Sequence, residues 1–248
     1  VMAVVKADAY GHGLLPCAAA ARTAGASWLG VALFEEALAL RAAGDTGRIL
    51  TWLGVPGDSF AECIAADIDV SAYNVDMLAE ILAAAAATGL PARVHLKIDT
   101  GLSRGGATAA DWPQLCARAQ QAEAEGVITV VGVWSHFAYA DAPGHATITA
   151  QLAEFEEALA VAAAAGLTPE VRHIANSAAT LTLPAAHFDL VRPGIAVYGI
   201  SPGPEVGTEV ELGLRPVMTM AARLVQVKRV DAGRGVSYGH TYTTSGET

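Results

Sequence analysis

An α/β chain folded as a (β/α)8 TIM-type barrel, followed by the start of a mostly-β C-terminal domain, is what this sequence predicts. Two observations carry the barrel. Short apolar, β-branched runs alternate with Ala-rich helical runs, and roughly eight such strands fit within about 190 residues, each crossover holding a helix. Beyond residue 217 the pattern changes to alternating residues with Gly233 and Gly235, which predicts a β-rich segment. The expected division is residues 1–202 for the barrel and 203–248 for the beginning of the second domain.

The elements follow in order. Residues 1–5 (VMAVV) read as a strand buried on both faces, so Lys6 falls where that strand leaves the core. Further strands are predicted at 28–32, 49–53, 69–73, 94–98, 130–135, 171–174 and 189–191. Helical runs are predicted at 14–24, 34–43, 75–88, 114–125 and 149–165, most of them ending near a glycine, as helix C-termini tend to. After 191 the text RPGIAVYGISPGP carries no long amphipathic helix, so the eighth outer helix is expected to be absent or supplied from before Val1. The text VMTMAARLVQVKRV, residues 217–230, is expected to open the strand-rich domain.

Composition excludes several classes. The chain has 248 residues with 53% hydrophobic and 16% charged content, enough for a large compact core. Its formal charge of −10 argues against nucleic acid as a partner, because phosphate backbones are met by clustered Lys and Arg. Cys17, Cys63 and Cys116 are odd in number and lack metal-ligand spacing, so they read as small buried residues of a reducing, cytoplasmic setting, with no metal expected. The longest apolar runs are Ala-rich and too short to span a bilayer, so no membrane partner is expected. No signal-peptide pattern is visible. The chain opens on Val1 rather than Met and is expected to be a piece of a longer protein, with weakened activity and dimerisation by itself.

Barrel enzymes place their chemistry at the C-terminal ends of the strands. Those ends carry Lys6 and Tyr10, then Lys97, Asp99 and Arg104 in KIDTGLSR, His136 in WSHF, His173, Asn176 and Ser177 in HIANS, and Arg192 with Gly194 in RPGI. Each has an ordinary reading: a rim charge for Lys6, a satisfied core histidine for His136, a helix N-cap for Ser177, and a structural ion pair with Asp99 or Glu80 for Arg104. His12 and His145 read as loop residues without a role. Together they suggest a phosphate cup built from Ser177 and the Gly194 and Ile195 amides, with the Tyr10 hydroxyl as a further donor, facing a lysine across the barrel mouth. A phosphate at one end and a lysine-reactive aldehyde at the other describe pyridoxal 5'-phosphate. A sugar-phosphate barrel enzyme would use the same cup.

VVKADAYGHG, KIDTGLSRGG, WSHFAYAD, HIANSAAT, VRPGIAVYG and GVSYGHTY, in this order, resemble the bacterial alanine racemases over nearly the whole chain. The resemblance implies a pyridoxal-phosphate enzyme that interconverts L- and D-alanine and supplies D-alanine for peptidoglycan. It implies that Lys6 carries the cofactor, Tyr10, Ser177, Gly194 and Ile195 hold its phosphate, with Asn176 beside them. Arg192 faces the pyridine nitrogen and His136 lies beside the ring. Arg104 holds the substrate carboxylate, and Lys97 stands where a carbamylated lysine often steadies it. Tyr238 is implied as the second base, reaching in from the other subunit of a homodimer. A racemase of serine or another small amino acid is the alternative, and a non-catalytic pyridoxal-phosphate carrier would share the lysine and cup but need no second base.

Overall fold

The computed structural model describes residues 1–248, which form two compact units, Val1–Val217 and Met218–Thr248. In the first unit seven parallel strands pair strictly in chain order: β1 (Met2–Val4), β2 (Trp28–Val31), β3 (Arg48–Thr51), β4 (Asp69–Ala72), β5 (Ala92–Lys97), β6 (Ile128–Trp134) and β7 (Val171–His173). Parallel pairing of neighbours needs a crossover each time, and helices supply it: α1 (Lys6–Gly11) with α2 (Leu14–Thr23), α3 (Phe34–Ala42), α4 (Phe60–Ala65), α5 (Val75–Thr88), α6 (Trp112–Ala124) and α7 (Ala146–Ala164). A short α8 (Ser177–Thr182) follows β7. The five predicted helical runs all fall on helices, with ends displaced by up to three residues. The short α4 and α8 went unseen because six residues carry too little periodicity.

The predicted eighth strand at 189–191 is corrected. That segment occupies the eighth position without forming a strand. Met2 N–H donates to Val191 O (2.9 Å) and Val4 N–H to Pro193 O (3.1 Å), while Asp189 N–H donates to Arg172 O (3.1 Å) and Arg192 N–H to Ala175 O (2.9 Å). The segment thus bridges β1 and β7 and closes the curled sheet. Regular pairing fails for identifiable reasons. The Arg172 N–H is taken by the Asp189 carboxylate at 2.8 Å, Phe188 has a positive φ of 43°, and Pro193 has no N–H to give. Within the first unit a single 3-10 turn, Ile195–Tyr198, follows where an eighth outer helix would stand.

The main core lies between sheet and helices, where outward residues such as Leu29, Ile49, Val94 and Leu96 meet Leu40, Leu78, Ile81 and Leu115. Inside the sheet a smaller cluster of Met2, Trp28, Leu50, Val131, Val171 and Leu190 takes one residue from each of six neighbouring segments. Alternation along β5 puts Val94 and Leu96 outward and Arg93, His95 and Lys97 inward, so that strand's interior face is polar throughout. Cys63 and Cys116 are buried and Cys17 half-buried, all as free thiols. No helix is long and apolar enough to cross a membrane.

In the second unit the strands are short: β8 (Gly235–Val236) pairs antiparallel with β9 (Tyr242–Thr243). Val230 and Thr248 exchange both backbone bonds (2.9 and 3.0 Å), extending this hairpin outward. The segment 217–230, expected to open the strand-rich domain, precedes these strands and forms none itself, Val230 alone joining the hairpin. Its apolar residues stay open to solvent, with Met220 97% and Val225 104% exposed.

Candidate active site

At the C-terminal rim of the first unit's strands lies a cavity of about 220 Å³. Its walls include Lys6, Tyr10, Arg104, His136, Asn176, Ser177, Arg192, Gly194 and Ile195, nine residues singled out from the sequence, together with Val4, Trp52 and Trp134. Lys97 does not line it.

Lys6 stands at the end of β1, and the chain behind it turns the wrong way for L-residues. Ala7, Asp8, Ala9 and Tyr10 all have φ between 52° and 54° with positive ψ, a left-handed turn without a single glycine. Such a turn costs roughly 1–2 kcal/mol per residue and needs outside support. Glu36 Oε1 accepts from Ala7 N–H (2.6 Å), Asp8 Oδ1 accepts from Leu14 N–H (2.7 Å), and His12 Nδ1 donates to Ala9 O (3.0 Å) and Tyr10 O (3.1 Å). His12, expected to be a loop residue without a role, closes the turn, with its ring stacked on Tyr198 at 4.6 Å. The Tyr198 hydroxyl in turn donates to Val4 O (2.8 Å), fastening the assembly to β1. The turn brings Tyr10 back over the barrel mouth beside Lys6, whose amine lies 5.9 Å from the Tyr10 ring centre.

Burial, then the nearby charge of Arg104, lower the Lys6 pKa, with Glu36 acting the other way. A larger share of its amine is therefore unprotonated near neutrality than for a free lysine. Burial raises the Tyr10 pKa, so its hydroxyl keeps the proton and can donate it in a hydrogen bond.

Opposite Lys6, Asn176 caps α8 by accepting from Ala179 N–H (3.1 Å), which leaves Ser177, at the first helical position, free for another task. Its Oγ accepts from Gly194 N–H (2.8 Å) and Ala196 N–H (3.3 Å), so two segments far apart in sequence meet at one hydroxyl. The Ile195 N–H has no protein acceptor. A Cβ on Gly194 would lie 2.3 Å from the Tyr10 hydroxyl, so only glycine lets Tyr10 close on this cradle.

Arg192 forms the floor. It is 4% exposed and lies 4.9 Å above the Trp134 ring. Its Nη2 donates to Ser135 O (2.7 Å), Ile174 O (3.3 Å) and His136 Nδ1 (3.2 Å), and Nη1 donates to His173 Nδ1 (2.8 Å). Its Nε–H has no protein partner. Burial lowers its pKa to about 9, so the guanidinium stays charged at neutral pH. Burial, followed by the charge of Arg192, drives the His136 pKa well below its usual value. His136 is thus neutral, and because Nδ1 accepts from Arg192, its proton sits on Nε2.

Arg104 is exposed at the mouth and makes no ion pair. The suspected structural partners are engaged elsewhere, Asp99 with the Gly101 and Ser103 amides at 3.0 Å and Glu80 with Gly57 N–H at 3.3 Å. Lys97 lies under Trp134, 5.1 Å from one of its ring centres and 5.5 Å from the Tyr73 ring, and donates to Gly105 O. Tyr238 belongs to the second unit, where it is 98% exposed. Sequence reading missed Trp52 and Trp134, since tryptophan in an apolar run reads as core. The position of Trp134 immediately before Ser135 and His136 was the available signal. His145, also expected to be idle, caps α7 by accepting from Thr147 N–H at 3.2 Å.

Comparison with known proteins matches residues 1–202 to the family model described as alanine racemase, N-terminal domain, and residues 217–248 to that described as alanine racemase, C-terminal domain. The alanine racemase of Frankia casuarinae is 62% identical over 247 residues, covering 100% of this chain and 64% of that protein. That of Streptomyces coelicolor is 60% identical and is covered over 65% of its length. The crystal structure of alanine racemase from the D-cycloserine producer Streptomyces lavendulae superposes with a TM-score of 0.93 at 60% identity, covering 100% of this chain and 65% of that one. The chain thus spans slightly less than two thirds of the length of these relatives.

Proposed function

The chain belongs to the alanine racemase family, and from that premise we propose that it interconverts L- and D-alanine with a base on each side of the substrate Cα. The family depends on pyridoxal 5'-phosphate, and the residues around the cavity fit that group. A half-buried amine of lowered pKa answers its aldehyde. The Tyr10 hydroxyl, the Ser177 hydroxyl and the unpaired Ile195 amide, drawn together by the missing Cβ of Gly194, answer its phosphate. The spare Nε–H of Arg192 answers its ring nitrogen. When bound, the cofactor supplies a conjugated ring that takes up the electron pair left on Cα once its proton departs.

The protein's share is to hold the amino acid and to move one proton. Arg104, unpaired at the mouth, is placed to receive a carboxylate. Lys6 accepts or returns the Cα proton on one face; burial and the Arg104 charge favour its neutral form. Tyr238 serves the other face, and its exposure on the second unit leaves the hydroxyl free to enter the cavity of a second copy in a homodimer. A tyrosine ionises near pH 10 in water and needs a donor to act as a base at neutrality. His136 offers one: its Nε2–H is turned outward by the Arg192 bond on Nδ1. Arg192 does not surrender its proton to a ring nitrogen, which keeps the ring a modest electron sink and favours return of the proton to Cα over side reactions.

The observation that carries this reading is the convergence of Lys6, the Tyr10–Ser177–Gly194 cradle and Arg192 on one cavity. Exchange of the Cα hydrogen in deuterated water tests the two bases. Both enantiomers of alanine should exchange with the unaltered protein, and optical rotation should decay from either. Tyr238→Phe should slow exchange from L-alanine at least ~100-fold while sparing D-alanine, in keeping with the usual contribution of one general base. Equal losses from both enantiomers would contradict the assignment.

A further inference from the structure

Beneath Arg192 a line of polar side chains runs down the barrel interior, and none of the steps above employs it. Arg192 Nη1 lies 2.8 Å from His173 Nδ1, His173 Nε2 lies 2.9 Å from His95 Nδ1, and His95 Nε2 lies 3.2 Å from Asp69 Oδ2. His173, His95 and Asp69 are all 0% exposed. The far end is anchored, since Asp69 also receives Arg48 Nη2 (2.9 Å) and Arg93 Nε (2.5 Å).

Chemistry gives this line one direction. A guanidinium can only donate, so His173 Nδ1 must accept. Burial, then the charges of Arg192 and His95, lower the His173 pKa well below its usual value, so the ring is neutral with its single proton on Nε2. That proton is donated to His95 Nδ1. His95, also lowered by burial, therefore carries its own proton on Nε2 and donates it to the Asp69 carboxylate. Burial pushes the Asp69 pKa up, but the His95 hydrogen bond and the charge of Arg93 outweigh it, and the group stays ionised. Donor at the top and acceptor at the bottom impose the same order. Reversing His173 would set N–H against N–H at Arg192, and reversing His95 or adding a proton to it would set N–H against N–H at His173.

We propose that Asp69, His95 and His173 are positioning residues that act as a one-way hydrogen-bond wire, holding Arg192 charged and oriented so that its Nε–H faces the cavity. This rests on the reading of the cavity as a pyridoxal-phosphate site and extends it to residues on β4, β5 and β7 that never reach the cavity wall.

The surrounding backbone is shaped around the wire. The β5–β6 register slips by one residue between Val94 and His95, which sets Gly132 opposite His95. A Cβ at Gly132 would lie 2.2 Å from His95 Nδ1, the atom that must receive the His173 proton. Trp134 lies parallel to His173 (5.8 Å, 4°) and Trp28 meets His95 edge-on (5.4 Å, 84°), so both imidazoles are clamped in plane. Neighbouring strands fill this interior with apolar side chains, Met2, Leu50, Val131 and Val171 among them. Mere packing would have been served by more of the same, without the cost of burying a carboxylate.

Two measurements on the full chain test the wire. Long-range proton–nitrogen correlation NMR of histidine-labelled protein reads tautomers directly. Both His95 and His173 should appear as neutral rings protonated on Nε2; an Nδ1-protonated or doubly protonated ring at either position at neutral pH would overturn the proposal. The second compares His95→Gln with His95→Phe. Glutamine can accept from His173 and donate to Asp69, preserving the direction, whereas phenylalanine fills the space and cuts the line. With His95→Phe, His173 should become a tautomer mixture, the pyridoxal-phosphate absorption band should shift, and cofactor affinity should fall about tenfold, one hydrogen bond's worth. His95→Gln should stay within about twofold of the unaltered protein. Folded His95→Phe protein with unchanged band, affinity and His173 tautomer would overturn the wire while leaving the cavity reading intact. Should His95→Phe fail to fold, the tautomers of the unaltered chain decide. Absence of cofactor uptake by the unaltered chain would instead sink the cavity reading, and the wire's purpose with it.

Discussion

Lys97 shows how burial sets the chemistry of a single side chain. It is 4% exposed, and burial, assisted by Arg104 and Arg192 and opposed by Asp99, lowers its pKa to about 8. In the unfolded chain the same amine titrates near 10.4. Between these values the unfolded state binds more protons, so folding stability rises with pH across the window, by at most ~1.4 kcal/mol per pH unit. Urea unfolding at a series of pH values should show this rise, and Lys97→Met should flatten it. A slope unchanged by Lys97→Met would contradict the lowered pKa. The nine polar and cradle residues of the cavity were legible in the sequence because they stand at or just beyond strand ends, where a barrel exposes its chemistry. Asp69, Arg93 and His95 were not, since they belong to strands: a period-two reading of ARVHLK would have put Arg93 and His95 on one interior face, and nothing local marks Asp69, on the neighbouring strand, as their partner.

At the scale of elements, the sequence announces strands and long helices through apolar runs and Ala-rich stretches, and these fall where expected. What it does not announce is geometry held by remote partners. The left-handed turn at 7–10 has no glycine to signal it, and its acceptor Glu36 comes from α3. The eighth barrel position fails to be a strand because Asp189 and Pro193 remove the ladder bonds. Glu36 accepts backbone N–H groups from Ala7, Ala32 and Leu33 at 2.6, 2.9 and 3.0 Å. Glu36→Ala should therefore destabilise the fold by about 1–3 kcal/mol and loosen cofactor retention, because the turn that carries Lys6 and Tyr10 loses its support. Glu35→Ala, on the exposed side of the same helix turn, serves as the control. Equal melting temperatures for the two variants would show that the turn holds itself.

At the scale of the molecule, the first unit brings together side chains from residue 4 to residue 195 by curling one sheet until its first strand meets the segment after the last. Closure places the Lys6 end of β1 beside the 192–195 cradle, a proximity that no local feature of either segment contains. The family implies that this closed rim holds pyridoxal phosphate through a lysine, and the chain offers three: Lys6 at the cavity, Lys97 beneath Trp134, and Lys228 in the second unit. Lys97 also has a lowered pKa, so basicity alone does not choose between it and Lys6. Position does: Lys6 lines the cavity and faces the cradle, whereas Lys97 is turned to the Gly105 carbonyl. Borohydride reduction of the cofactor-loaded protein, followed by peptide mapping, makes the choice visible. The account predicts a pyridoxyl group on the peptide that contains Lys6, and a label on Lys97 or Lys228 instead would contradict it.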